Sequence, residues 1–229
     1  MFGMDPIYMV VLAIGGALSF GAQFWVKSRF KKWSQVSIAN GMTGREVAEA
    51  ILRAEGITDV GVEPVRGFLT DHYSPGEKKL RLSEPNFASD SIAAAGIAAH
   101  EVGHAIQHAK GYWPMQIRQR MVPVANIGTN IGVWMVVIGG VIGMAGLAKI
   151  GVLLFGGFVL FTLVTLPVEF DASSRAKKCL EQNQILASEQ EIAGVRSVLA
   201  AAASTYLAAA VSAVLQLLYW AMRAGLSRR

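Results

Sequence analysis

Met121–Ala148 reads MVPVANIGTNIGVWMVVIGGVIGMAGLA, 28 residues without Asp, Glu, Lys or Arg. As an α-helix such a run exceeds the roughly 20 residues that cross a hydrocarbon core about 30 Å thick. Three other charge-free intervals are of similar length: Pro6–Val26 with 21 residues, Ile150–Pro167 with 18 and Ser197–Met222 with 26. The overall composition agrees. Of the 229 residues 53% are hydrophobic and 16% charged, against about 25% charged in an average soluble domain. The chain therefore reads as a mainly α integral membrane protein with about four transmembrane helices.

The net charge is +5, from 21 Lys and Arg against 16 Asp and Glu. In a membrane protein such a surplus sets topology and touches the lipid bilayer, and no nucleic-acid partner is expected. A single cysteine, Cys179, excludes an intrachain disulfide and reads as a packed thiol. Lys27, Arg29, Lys31 and Lys32 follow the first apolar interval directly. Residues 1–26 thus read as an uncleaved anchor with a short outer N-terminus, and the inner face begins near Lys27. Arg223, Arg228 and Arg229 pull the other way, because four crossings return the C-terminus to the outer side. The Lys27–Lys32 cluster and the basic segment holding Arg175, Lys177 and Lys178 outweigh them. An interfacial or re-entrant course for the alanine-rich last interval is the alternative.

Residues 27–120 hold 13 Lys/Arg and 10 Asp/Glu, the mixed polarity of a small water-exposed α/β domain on the cytoplasmic side. Thr43 with Glu46 three residues later forms a capping-box pattern ahead of Val47, Ala48, Ile51 and Leu52, and Gly56 closes that helix. Val60–Val65 and Lys79–Leu82 read as strands around the turn Ser74–Pro75–Gly76–Glu77, with the Lys79–Ser83 edge open to a substrate backbone. A further helix is expected from near Ser89 or Ser91 to about Lys110. Residues 121–168 then form a transmembrane hairpin, with crossings from about Pro123 to Ala145 and from about Lys149 to Leu166. Residues 169–196 read as a cytoplasmic helix whose first turn holds Pro167 just upstream, and 197–229 as a membrane helix with a basic tail. Gly139, Gly140, Gly143 and Gly146 are expected to allow close helix contact, and Asn126 and Asn130 to share one helical face.

The chemistry lies in His100–Glu101–Val102–Gly103–His104, an H-E-x-x-H pattern inside a helix. The two histidines are about 400° apart in rotation and about 6 Å apart in rise, so both imidazoles can reach one zinc ion. Glu101 lies beside the open side of such an ion, where it can move a proton from water to a leaving amine. A zinc hydrolase needs a third protein ligand. His108 lies about 12 Å along the helix from His100, too far to share an ion, and the spacing of the longer H-E-x-x-H-x-x-G-x-x-H pattern would need a histidine where Lys110 stands. His72, within the polar group Asp71–His72–Tyr73, is a second candidate. Glu169 is the stronger one, because two crossings return the chain to the side on which the helix of His100 and His104 left it. Asp171 competes, but two residues further round a helix it faces away and can pair with Arg175 at i+4.

The run His100–Glu101–Val102–Gly103–His104–Ala105–Ile106–Gln107, preceded by Ala98–Ala99, resembles the signature of the YugP-type bacterial zinc membrane neutral metallopeptidases. These are distantly similar to the HtpX-type membrane peptidases. The resemblance extends over Thr43–Ala48, Gly67–Tyr73, Leu80–Glu84 and Pro167–Ser173. It implies a zincin-like domain, Zn2+ as cofactor, His100, His104 and Glu169 as ligands and Glu101 as catalytic base. HtpX-type relatives place an aspartate four residues after the ligand glutamate, where this chain has Ser173, which leaves Asp171 as a geometrically different substitute. The implied function is hydrolysis of peptide bonds in membrane-associated or cytoplasmic proteins or peptides at the bacterial inner membrane. His72, Tyr73 and Arg175 are the candidates to steady the developing oxyanion. Self-association or a membrane-protein partner is compatible with this reading. A non-catalytic membrane scaffold with a structural metal is the reading from another class, and a transporter is less suited because the crossings lack ionisable residues.

Overall fold

The computed structural model describes residues 5–225, so Arg228 and Arg229 lie outside the described residues. In chain order the elements are α1 (Pro6–Trp33), α2 (Gly44–Ala54), β1 (Gly61–Val65), β2 (His72–Ser74), β3 (Lys79–Ser83) and α3 (Glu84–Ala88). There follow α4 (Ile92–Ala109), α5 (Trp113–Ile127), a π-helical turn at Gly128–Gly132, α6 (Val133–Val141), α7 (Ala145–Gln182) and α8 (Glu189–Arg223). Four helical runs are long and apolar enough to cross a membrane: Pro6–Trp33, Trp113–Val141, Ala145–Gln182 and Glu189–Arg223. The protein is mainly α and membrane-spanning, with one small mixed sheet.

Two compact units divide the chain. The apolar unit takes the described residues through Gln23, Gln116–Pro167 and those from Ser204 on. Its packed centre is aromatic, with Phe155 edge-on to Trp220 at 4.8 Å and Tyr8 stacked on Tyr219 at 4.9 Å. Where the α5–α6 run meets α7, backbones touch. A Cβ built on Gly151 would stand 2.6 Å from the carbonyl oxygen of Gly132, so neither position has room for a side chain. Gly139 makes a similar approach to Ala148, as the sequence suggests. Gly143 instead turns the chain at φ +76°, and Gly146 has nothing within 4 Å. Tyr219 donates to Asp5 at 3.0 Å, and Arg223 lies 3.6 Å from the same carboxylate. The start of α1 and the end of α8 are therefore side by side.

The sheet-bearing unit comprises Phe24–Met115 and Val168–Ala203. Thr43 and Glu46 form the complete capping box at the head of α2, and Gly56 follows the helix at φ +70°. Val47, Ala48, Ile51 and Leu52 from α2 pack with Leu80 and Leu82 of β3, Ile92 and Val102 of α4, and Val168 and Leu180 of α7. The strand order is β1-β3-β2, with β1 parallel and β2 antiparallel to β3. This corrects the expectation of an open Lys79–Ser83 edge: β3 is central and hydrogen-bonded on both sides, because the short His72–Ser74 segment covers it. The free edges belong to β1 and β2. Asp71 ties the end of β3 to α3 by accepting from the Ser83 backbone N–H at 2.8 Å and from Asn86 Nδ2 at 2.9 Å.

Two helix boundaries also differ from expectation. Pro167 does not open a new helix but lies inside α7, a single helix of 38 residues. Leu166 would have been the N-cap of a new helix, and leucine is among the poorest residues there, so the helix continues. Interior prolines are tolerated in membrane helices where neighbouring groups re-satisfy the freed backbone carbonyl. The final apolar interval lies within the unbroken α8, which begins eight residues earlier. Its N-cap is a second box, in which Ser188 Oγ accepts from the Glu191 N–H at 3.2 Å and Glu191 accepts from the Ser188 N–H at 3.1 Å.

Candidate metal centre

Helix α4 is buried along nearly its whole length, from Ile92 to Gln107, and starts from Ser91, whose hydroxyl accepts from the Ala94 N–H at 3.2 Å. Its alanines and glycines leave room for neighbouring helices. Gly103 decides the closest of these approaches, since a Cβ there would stand 2.5 Å from the carbonyl oxygen of Ala172 in α7. That contact brings the first polar turn of α7 against the face of α4 that carries His100 and His104.

The result is a three-residue cluster. Glu169, 2% exposed, places Oε2 at 3.2 Å from His100 Nε2 and 3.5 Å from His104 Nε2. The two imidazole rings are 4.8 Å apart and nearly perpendicular. His100, His104 and Glu169 are the only group of metal-ligating side chains of this kind among the described residues, with all ligand atoms within 4.8 Å of one another. Donor atoms about 2.0–2.1 Å from a tetrahedral zinc stand about 3.3–3.5 Å apart, so both glutamate separations suit such an ion. Two neutral imidazoles and one carboxylate also form a recurrent donor set of catalytic zinc. The residues present fit the metal.

Around these ligands each imidazole Nδ1 has a partner. Ser173 Oγ lies 3.2 Å from His100 Nδ1. Gln107, fully buried, places Oε1 at 3.1 Å from His104 Nδ1 and donates through Nε2 to Val168 O and to Asp171 Oδ2, both at 2.8 Å. Asp171 also accepts from Arg175 Nε at 2.6 Å. Burial alone would lower the proton affinity of His104, but the carboxylates of Glu169 and Glu101 more than offset it and raise the pKa above the ordinary histidine value. A metal binding there displaces that proton.

Glu101 is 8% exposed, and no hydrogen bond or ion pair to its carboxylate occurs among the described residues. Its oxygens are not among the buried unpartnered atoms, so beside a cluster of metal-ligating groups the carboxylate is free to engage water.

The remaining sequence candidates have other surroundings. His72 is exposed on β2 with Nδ1 at 2.8 Å from Thr70 O. Tyr73, on the same strand, meets His108 through its hydroxyl, 2.8 Å from Nδ1. Arg175 is engaged by Asp171 and stacks over the Tyr112 ring at 5.6 Å. Cys179 is buried beside Glu55. Sequence spacing assigned no role to Gln107, although its place three residues after His104, on the same helix face, was a usable signal.

Residues 8–225 match the model of a protein family described as "Putative neutral zinc metallopeptidase". The chain belongs to this family. It is also 45% identical, over 216 residues covering 94% of this chain and 95% of the relative, to a protein of Bacillus subtilis (strain 168) named "Putative membrane protease YugP". No solved structure matches. Among the described residues, His100, His104 and Glu169 are the group suited to hold a metal.

Proposed function

We propose that the protein is a zinc-dependent endopeptidase that hydrolyses peptide bonds in membrane-associated or cytoplasmic proteins or peptides. The observation that carries this reading is the convergence of His100, His104 and Glu169 beside the unpartnered carboxylate of Glu101. When bound, zinc would supply Lewis acidity to the scissile carbonyl and to an attacking water. His100 Nε2, His104 Nε2 and a Glu169 oxygen would hold it. Glu101 accepts a proton from the attacking water on its carboxylate and returns it to the departing amide nitrogen. His72, Tyr73 and Arg175 remain the candidate donors to the oxyanion. With Nδ1 facing the Thr70 carbonyl, His72 can donate through Nε2 only as an imidazolium.

The Lys27–Lys32 cluster after the first apolar run supports a location in the bacterial inner membrane with the sheet-bearing unit on the cytoplasmic side. The catalytic reading is tested by measuring zinc in wild type and in H100A/H104A, then peptide turnover of wild type and E101Q at equal zinc content. Zinc lost from the double variant, and a turnover reduced by about 10²–10⁴ in E101Q, are the expected results. Equal turnover by wild type and E101Q would sink the role of Glu101. For His72, H72A is expected to keep its zinc and turn over more slowly, and unchanged turnover removes it from the reaction.

A further inference from the structure

The outer side of His104 holds an amide rather than the carboxylate that so often backs a ligand histidine, and its orientation is fixed by its surroundings. Gln107 Nε2 faces two groups that can only accept, the Val168 carbonyl and Asp171 Oδ2, each at 2.8 Å. Rotating the amide by half a turn would set its oxygen against both, so the NH₂ stays where it is. The oxygen Oε1 must then face His104 Nδ1 at 3.1 Å. Since Oε1 cannot donate, Nδ1 carries a proton, so Nε2, on the side of Glu169, is the nitrogen left to bind a metal. Ser173 imposes no such choice on His100, because a hydroxyl both donates and accepts.

The fixing extends further. Asp171 is kept an acceptor by Arg175 Nε at 2.6 Å, and the Arg175 guanidinium lies 5.6 Å over the Tyr112 ring. The Tyr112 backbone N–H donates to the Gln107 carbonyl at 2.8 Å, so the chain of contacts closes on itself. From this geometry we infer that Gln107 is a positioning residue of the metal centre, setting His104 in its metal-binding tautomer, and that the Asp171–Arg175 pair acts through Gln107. Arg175 thereby works two contacts away from His104. Both ligand imidazoles are backed by neutral groups, and the one nearby acid outside the ligand and base set is matched by a cation.

This inference rests on the metal reading above, and its test separates the two. Zinc affinity of the detergent-solubilised full chain is measured by chelator competition, and the cobalt(II) form is examined by visible absorption. Gln107→Met keeps the volume and removes both hydrogen-bonding functions, so zinc affinity should fall about 10- to 100-fold, the usual cost of losing an outer partner of a ligand histidine. Gln107→Glu keeps the shape but sets a carboxylate against both the Val168 carbonyl and Asp171, so it should also lose affinity. Asp171→Asn keeps the shape too, and its amide oxygen can take the place of Oδ2, which accepts from both Gln107 Nε2 and Arg175 Nε, so its affinity should stay within about threefold of wild type, with the wild-type cobalt spectrum. Loss in Q107E with retention in the equally isosteric D171N is a pattern that simple damage to packing does not produce. If Gln107→Met does not fold, the comparison of Q107E with D171N decides alone. Wild-type affinity in Q107M or Q107E, or a loss in D171N equal to that in Q107E, overturns the inference. A wild-type protein that binds no zinc overturns the metal reading and this inference together.

Discussion

Gly103, the residue before His104, fixes how closely α4 can approach Ala172 in α7, and α7 also carries Glu169. The variant Gly103→Ala must push its new methyl 2.5 Å from a backbone carbonyl, which cannot give way as a flexible side-chain tip would. Overpacking of this kind typically costs about 1–3 kcal/mol, and here the shift also carries Glu169 off two imidazoles. A fall in zinc affinity together with the loss of stability is expected by chelator competition and thermal unfolding, and retention of wild-type zinc affinity would show that the close approach does not set the ligand geometry. At this scale much of the site was legible: a histidine pair one turn apart around a glutamate is a local pattern, and helix geometry alone aims both rings one way. Glu169 needed the topological step of a hairpin returning to its starting side. For Gln107 the spacing from His104 marked the helix face, but its partners, Val168 and Asp171, come from a distant segment that spacing does not reveal.

Among the elements, those with chemical punctuation were readable in advance. Thr43 and Glu46 announced α2, and Gly56 closed it. β2 was missed because three residues are too few to show alternation, and its His72–Tyr73 pair invites a chemical reading before a structural one. Pro167 misled because proline is as much at home in a first helical turn as it is unwelcome inside, and the apolar surroundings that tolerate it are a property of the whole span. Helix contact can be tested directly. Gly151→Ala would set a methyl against the Gly132 carbonyl and should destabilise the protein by roughly 1–3 kcal/mol. In the same helix Gly156 has nothing within 4 Å, so Gly156→Ala should be neutral or gain up to about 1 kcal/mol. Unfolding in mixed detergent measures both, and similar effects at the two positions would contradict the backbone contact described for Gly151.

For the whole molecule, charge-free runs reveal four crossings because lipid leaves few alternatives to a helix about 20 residues long. The same signal is silent on where helices continue beyond the apolar run. Residues 27–33 of α1, 168–182 of α7 and 189–196 of α8 are polar continuations, and nothing in their composition separates them from independent helices. Sidedness is checked with cysteine chemistry. In a Cys179→Ala background, Glu77→Cys puts a single thiol on the exposed turn between β2 and β3. A membrane-impermeant maleimide should label it only after the cells are opened. Labelling of intact cells would move the sheet-bearing unit to the outer side without touching the metal argument.

The pairing of Asp5 with Tyr219 has a practical corollary. Because the first and last described turns of the fold come together, a modest spacer between them would close this part of the chain into a circle. A circular chain has fewer arrangements to explore once denatured, and it presents no loose end to exopeptidases.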